Sequence, residues 1–264
     1  MKKSLLAAAL LAASVSSGCQ SAVDRDKASK EPSLLTADLV DFRNGLAMLR
    51  EGRVDEAIQQ LSAARAAYPQ NAEVSNALGL ALLYRKDYKN ATKLFTEAIG
   101  LDPNLLEAVN NRGVAAMEAG NLEAAEKDFE SILARPKSAE QLNARFNLGL
   151  IRARQLRWED AERELTSVLA DDPSYRKAVR ERGLVRMKRE EFLGALEDFL
   201  LVLREDPKDP VANYNAALCL LTTDRRDLAT RYMERTVHSA PESEEAKKAR
   251  RFLGGEPSLT GRDR

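Results

Sequence analysis

The sequence predicts an all-α fold: six helix pairs in a row, closed by one further helix at the C-terminal end. Three observations carry that prediction. Alanine recurs in one register at Ala57, Ala91, Ala125, Ala161, Ala195 and Ala229, with gaps of 34, 34, 36, 34 and 34 residues. Twelve residues before five of these stands a glycine (Gly45, Gly79, Gly113, Gly149, Gly183), and Ala217 holds the sixth place. Twelve residues after five of them stands a proline (Pro69, Pro103, Pro173, Pro207, Pro241); in the third unit Pro136 comes one place early and two extra residues follow. A fixed period of this length marks a repeat array, in which each unit buries its apolar face only against its neighbours.

The units start at Asp38, Ala72, Leu106, Leu142, Arg176 and Pro210, so the array spans 38–243 as 38–71, 72–105, 106–141, 142–175, 176–209 and 210–243. Each unit reads as two helices and a short turn. In the second, apolar residues recur at helical spacing from Ala72 to Tyr84 (Val74, Leu78, Leu82) and again from Tyr88 to Gly100 (Ala91, Leu94, Phe95, Ala98). Gly79 and Ala91 are small because the paired helices approach closely there. The next gap takes a large side chain: Leu61, Phe95, Phe129, Leu165, Phe199 or Met233. Proline ends each second helix, through its fixed φ and missing N–H, and Asp102-Pro103-Asn104 and Asp172-Pro173-Ser174 are turns. After the last unit, Glu242 to Leu253 reads as a charged amphipathic helix, with residues 244–253 capping the open end; the tail 254–264 reads as disordered.

Counted from each start, a small residue at place 8, alanine at 20, a large apolar residue at 24 and proline at 32 resemble the tetratricopeptide repeat (TPR). The match covers about 38–243, with Lys137 for a proline, Ala217 for a glycine and no aromatic at place 4. The resemblance implies a right-handed superhelical array of six helix pairs. It also implies a concave side lined by the first helices, onto which places 2, 5, 9 and 12 project.

The first 18 residues read as a secretory signal peptide: Lys2 and Lys3, an apolar run Leu5 to Val15 too short for a good membrane span, then Ser16, Ser17 and Gly18. Ser17-Gly18-Cys19 resembles the bacterial lipoprotein box, with Ser16 where leucine is usual; the resemblance implies acyl chains on Cys19. Ordinary cleavage after Gly18 is the alternative reading. Gln20, in place of the aspartate that signals inner-membrane retention, points to the outer membrane, with the protein facing the periplasm. Residues 19–37 read as a flexible tether. Cys219 is then the one remaining mature cysteine, so no internal disulfide is available, and small-residue packing explains it better than a reactive thiol.

Composition excludes several function classes. Removing Lys2 and Lys3 takes 41 basic residues to 39 against 41 acidic, the charges are interspersed, and no basic stripe with aromatics appears, which argues against nucleic acid. The single histidine, His238, gives neither a zinc site nor a catalytic triad. Asp171-Asp172 and Glu190-Glu191 are turn and cap residues, Trp158 opens a helix, and no phosphate loop is present. No enzyme, cofactor or metal is expected.

The expected partner site is the groove. Place 5 reads Phe42, Asn76, Asn110, Phe146, Arg180, Tyr214; place 9 reads Leu46, Leu80, Val114, Leu150, Leu184, Leu218; place 12 reads Leu49, Leu83, Met117, Ala153, Met187, Leu221. The centre is aliphatic, with Asn76, Asn110, Asn111, Asn147 and Asn215 placed to bond a peptide backbone. The expected site is the less charged N-terminal half: Phe42, Leu46, Leu49, Asn76, Leu80, Leu83, Asn110 and Val114. On this reading Leu80 faces water in the free protein; the alternative is that place-9 leucines pack between units.

A lipoprotein whose mature body is six such units resembles the type IV pilus pilotin family (PilF, PilW and Tgl proteins). The likeness extends to Ala108-Val109-Asn110-Asn111-Arg112-Gly113 and to the longer junction Ala134 to Leu142 before the fourth unit. It implies a non-enzymatic outer-membrane lipoprotein, monomeric when free, that binds secretin subunits and promotes their localisation and assembly for pilus biogenesis. A periplasmic scaffold for cell-wall enzymes and an accessory lipoprotein of a tight-adherence or other secretion system are the alternatives.

Overall fold

Each apolar-periodic stretch is a helix in the computed structural model, which describes residues 40–136 and 138–254. The signal segment, Cys19, the tether and residues 255–264 lie outside the described residues. The first three pairs are α1 (Val40–Arg50) with α2 (Val54–Ala67), α3 (Ala72–Tyr84) with α4 (Tyr88–Leu101), and α5 (Leu106–Glu118) with α6 (Leu122–Leu133). The next three are α7 (Glu140–Arg154) with α8 (Trp158–Asp171), α9 (Arg176–Lys188) with α10 (Phe192–Glu205), and α11 (Pro210–Thr222) with α12 (Arg226–Ser239), followed by α13 (Glu244–Leu253). The helices form two compact units, α1–α6 and α7–α13, divided between Pro136 and Lys137, where the 34-residue period slips.

One backbone device ends every first helix. Place 15 lies in the left-handed region in all six pairs: Gly52 (φ 76°), Lys86 (66°), Gly120 (86°), Leu156 (62°), Glu190 (61°) and Asp224 (55°). The following N–H reaches back five residues to close the turn, as in Asp87 N–H to Leu82 C=O at 2.9 Å and Asn121 N–H to Ala116 C=O at 2.9 Å. This is the double-bonded helix stop that satisfies the last carbonyls. It fixes the tight reversal that lays the second helix on the first. Asn71, Asp87, Asn121, Asp209 and Ser243 then cap the starts of α3, α4, α6, α11 and α13 by accepting a backbone N–H three residues on.

Close approach explains the small residues. A Cβ built on Gly79 would stand 2.7 Å from the Phe95 ring, on Gly113 2.7 Å from Phe129, and on Gly45 2.5 Å from Leu61. The glycine at place 8 thus faces the large side chain at place 24. Phe95, Phe129 and Phe199 are fully buried. Ala217 and Met233 fill the same two places of the last pair and lie together in its core, where the unbranched methionine accommodates the extra methyl. Within each compact unit, second helices pack on the next first helix, and successive first helices also touch (α1 with α3, α3 with α5, α7 with α9, α9 with α11). Helix α13 covers α11 and α12.

Candidate functional site

The first-helix face is more closed in α1–α6 than expected. Leu49, Leu80 and Leu83 are buried in one cluster with Leu78, Phe95 and Ala115. Leu80 is only 9% exposed, so it packs between units and does not face water. The physical reason is that neighbouring first helices meet side by side and cover the places between them. Asn76 and Asn110 are buried too, and Asn111 Nδ2 donates to Asn76 Oδ1 at 3.1 Å, a bond that ties α5 to α3 from within. Phe42, Leu46 and Val114 remain half-buried against this cluster.

In α7–α13 the equivalent face is more open. Leu150, Ala153, Leu184 and Met187 are all half-buried. Phe146 is buried, its ring tilted against Tyr175 at 5.3 Å, and the Tyr175 hydroxyl donates to Asn143 at 3.0 Å. Tyr214, Leu218 and Leu221 pack in the cluster that includes Phe252 of α13. At the rim Arg180 donates to Asp209 at 3.2 Å and lies 3.7 Å from Glu181. Burial pushes the Glu181 carboxyl above its ordinary range, Arg180 opposes that shift and Asp209 adds to it. Burial, then Arg180, pulls the Lys177 ammonium down.

Sequence reasoning missed a charged framework behind this face. Arg112 grips Asp128 through two bonds of 2.9 and 2.7 Å, and Arg182 grips Asp198 through two of 3.1 and 2.6 Å. Both pairs occupy places 7 and 23, where the second unit has Leu78 and Leu94. Asp198 is 1% exposed and also accepts from Arg186 at 3.0 Å. Arg186 in turn reaches Glu162 at 2.8 Å, and Arg189 contacts the same carboxylate. Burial opposes ionisation of Glu162, but the hydrogen bonds and charges of Arg186 and Arg189 outweigh it and hold the carboxyl below its ordinary range. The network joins α8, α9 and α10, and the recurring spacing of 16 residues was its signal in the sequence.

Cys219 is buried, and burial pushes its thiol up to about 12, which keeps it unreactive at neutral pH. His238 is exposed. Among the described residues no three His, Cys, Asp or Glu side chains group as metal ligands, and no helix is long and apolar enough to cross a membrane. The arrangement provides helix faces for a protein segment.

Comparisons with known proteins agree with this geometry. The tetratricopeptide-repeat family model matches residues 42–105, 110–164 and 146–210. Protein FlbA of Caulobacter vibrioides is 35% identical over 150 residues, 54% of this chain and 25% of that protein, so the chain spans a quarter of that relative. The crystal structure of PilW, a widely conserved type IV pilus biogenesis factor, matches with a TM-score of 0.72 and 19% identity, over 81% of this chain and 98% of that one. PilF of Pseudomonas aeruginosa matches with a TM-score of 0.70 and 19% identity, over 81% and 96%. At such identities the likeness is one of fold.

Proposed function

This chain belongs to the tetratricopeptide-repeat family, and on that premise we propose that it is a non-enzymatic lipoprotein acting as a pilotin. It is held at the outer membrane by acyl chains on Cys19, faces the periplasm, binds secretin subunits and promotes their assembly for type IV pilus biogenesis. The observation that supports this reading best is that the fold likeness spans nearly the whole of PilW and of PilF. Ser17-Gly18-Cys19 followed by Gln20 supports the anchor. Several acyl chains give stable attachment, which a single one does not.

The binding surfaces we propose are the first-helix faces of the two compact units, each taken by itself. Their half-buried apolar side chains include Phe42, Leu46 and Val114 in α1–α6 and Leu150, Leu184 and Met187 in α7–α13. A partner segment laid on either face removes its apolar surface from water; the buried amide pair Asn76–Asn111 holds the helices behind the first face, and the Arg182–Asp198 framework those behind the second.

Deleting the gene tests the reading. Secretin subunits are then expected to stay unassembled or misplaced, and surface pili to be lost. Normal heat-resistant secretin multimers in the deletion strain contradict it; an altered cell-wall hydrolase profile favours a scaffold, and loss of another secretion system favours an accessory of that system. Cys19→Ser separates the anchor from the binding role: envelope fractionation should show it released from the membrane, and an unchanged distribution refutes the lipid anchor.

A further inference from the structure

Because every pair is built to one plan, sister helices serve as controls for one another, and α10 departs from them. Place 18 is charged on five second helices (Asp55, Lys89, Glu123, Glu159, Asp227) but is Leu193 on α10. Places 25 and 26 are polar, charged or alanine on those five helices, but Leu200 and Leu201 on α10. These leucines are open to solvent, at 67%, 41% and 42%. Leu193 and Leu200 lie seven residues apart on one stripe, Glu197 and Arg204 form a second stripe seven apart beside it, and Leu201 flanks them on the far side. Both charged residues are exposed, and Arg204 has a loose contact of 3.6 Å with Glu205.

We propose that this face of α10 pairs with the same face of a second copy of the chain, antiparallel, about a twofold axis between Leu200 and Leu201. That axis sets Leu200 beside Leu200 of the copy on one flank and Leu201 beside Leu201 of the copy on the other, since the two leucines lie about 100° apart around the helix. It also sets Glu197 against Arg204 of the copy, and, by symmetry, Arg204 against Glu197. A single helix face that matches its own inverted image in both apolar residues and charge is what an isologous interface requires. The pairing departs from the free monomer expected from the sequence, and it is independent of the pilotin reading. It is weak: a helix of 14 residues is about 21 Å long and about 10–12 Å wide, well short of the roughly 800 Å² per partner of a stable complex. A dissociation constant in the micromolar range or above is expected.

Sedimentation of the chain carrying Cys19→Ser, from low to high micromolar concentration, tests this. A monomer–dimer equilibrium is expected. Leu200→Asp with Leu201→Asp should weaken it more than about tenfold, since each change counts twice at a twofold interface. Glu197→Arg and Arg204→Glu should each weaken it about three- to tenfold, and the double swap should restore it. All four side chains are exposed, and circular dichroism checks that each variant folds. A chain that stays monomeric, or a dimer indifferent to the leucines or not rescued by the swap, overturns the proposal. So does a monomer that uses this face to hold lipid vesicles or a different protein.

Discussion

Gly113→Ala is a demanding test of the packing, because local propensity and tertiary contact pull in opposite directions. In a helix interior alanine is favoured over glycine by about 0.8–1.0 kcal/mol. Here the new methyl would stand 2.7 Å from Phe129 Cε1 and 2.8 Å from Cζ. Carbon contacts settle near 3.5–4.0 Å, so a fully buried ring must retreat by about 1 Å, and overpacking of that kind costs about 1–3 kcal/mol. The net expectation is a loss of about 0–2 kcal/mol where propensity alone gives a gain. The last pair shows the remedy, with Ala217 beside Met233. In a Phe129→Met background the ring is gone, and Gly113→Ala should regain its propensity advantage, so the two changes should couple favourably by about 1–3 kcal/mol. Urea midpoints of the four proteins, followed by circular dichroism, measure the cycle. A Gly113→Ala protein more stable than its parent by the full propensity gain, with additive changes, refutes the close approach.

Asp198→Ala leaves Arg182 and Arg186 without their buried carboxylate and should cost about 3–5 kcal/mol of stability, read as a lower unfolding midpoint. Glu162 gives a pH dependence. Its folded-state carboxyl is held below the ordinary value, so its stabilisation is present above about pH 4.3 and is lost as pH falls through the lower folded value. Thermal midpoints of the parent should therefore fall more steeply on acidification than those of Glu162→Gln, and parallel curves contradict the arginine contacts. Leu80→Arg, at a position 9% exposed, should lower stability by about 2–5 kcal/mol, whereas the same change at half-buried Leu46 should cost less; equal melting curves for parent and Leu80→Arg would return Leu80 to an open groove.

The repeat was legible because size is constrained wherever helices nearly touch: a Cβ on Gly79 or Gly113 fits only if the Phe95 or Phe129 ring shifts. The helix from Ala72 to Tyr84 was read to the residue, and α4 runs one residue beyond its expected end at Gly100. The left-handed stop at place 15 was not legible, since Lys86, Leu156, Glu190 and Asp224 occupy it as well as Gly52 and Gly120. The burial of Asn76 was not legible, and for Leu80 the sequence left both an open groove and packing between units, of which the second holds. A helical pattern separates two faces of one helix, but it does not say that α1 and α5 flank α3 and cover the places between. The Arg112–Asp128 and Arg182–Asp198 pairs and the leucines of α10 were visible in principle, by comparing equivalent places among units instead of reading along one helix.

The first-helix face of α7–α13 is one of the two surfaces proposed to hold a secretin subunit. Titration of the purified chain with an unassembled secretin subunit, by calorimetry, tests it directly. Saturable binding is expected, weakened more than about tenfold by Leu150→Asp with Leu184→Asp, two half-buried side chains, in a variant whose helical content is checked by circular dichroism. Heat release that does not saturate at high micromolar subunit, or a folded double variant that binds as tightly as the parent, would contradict it.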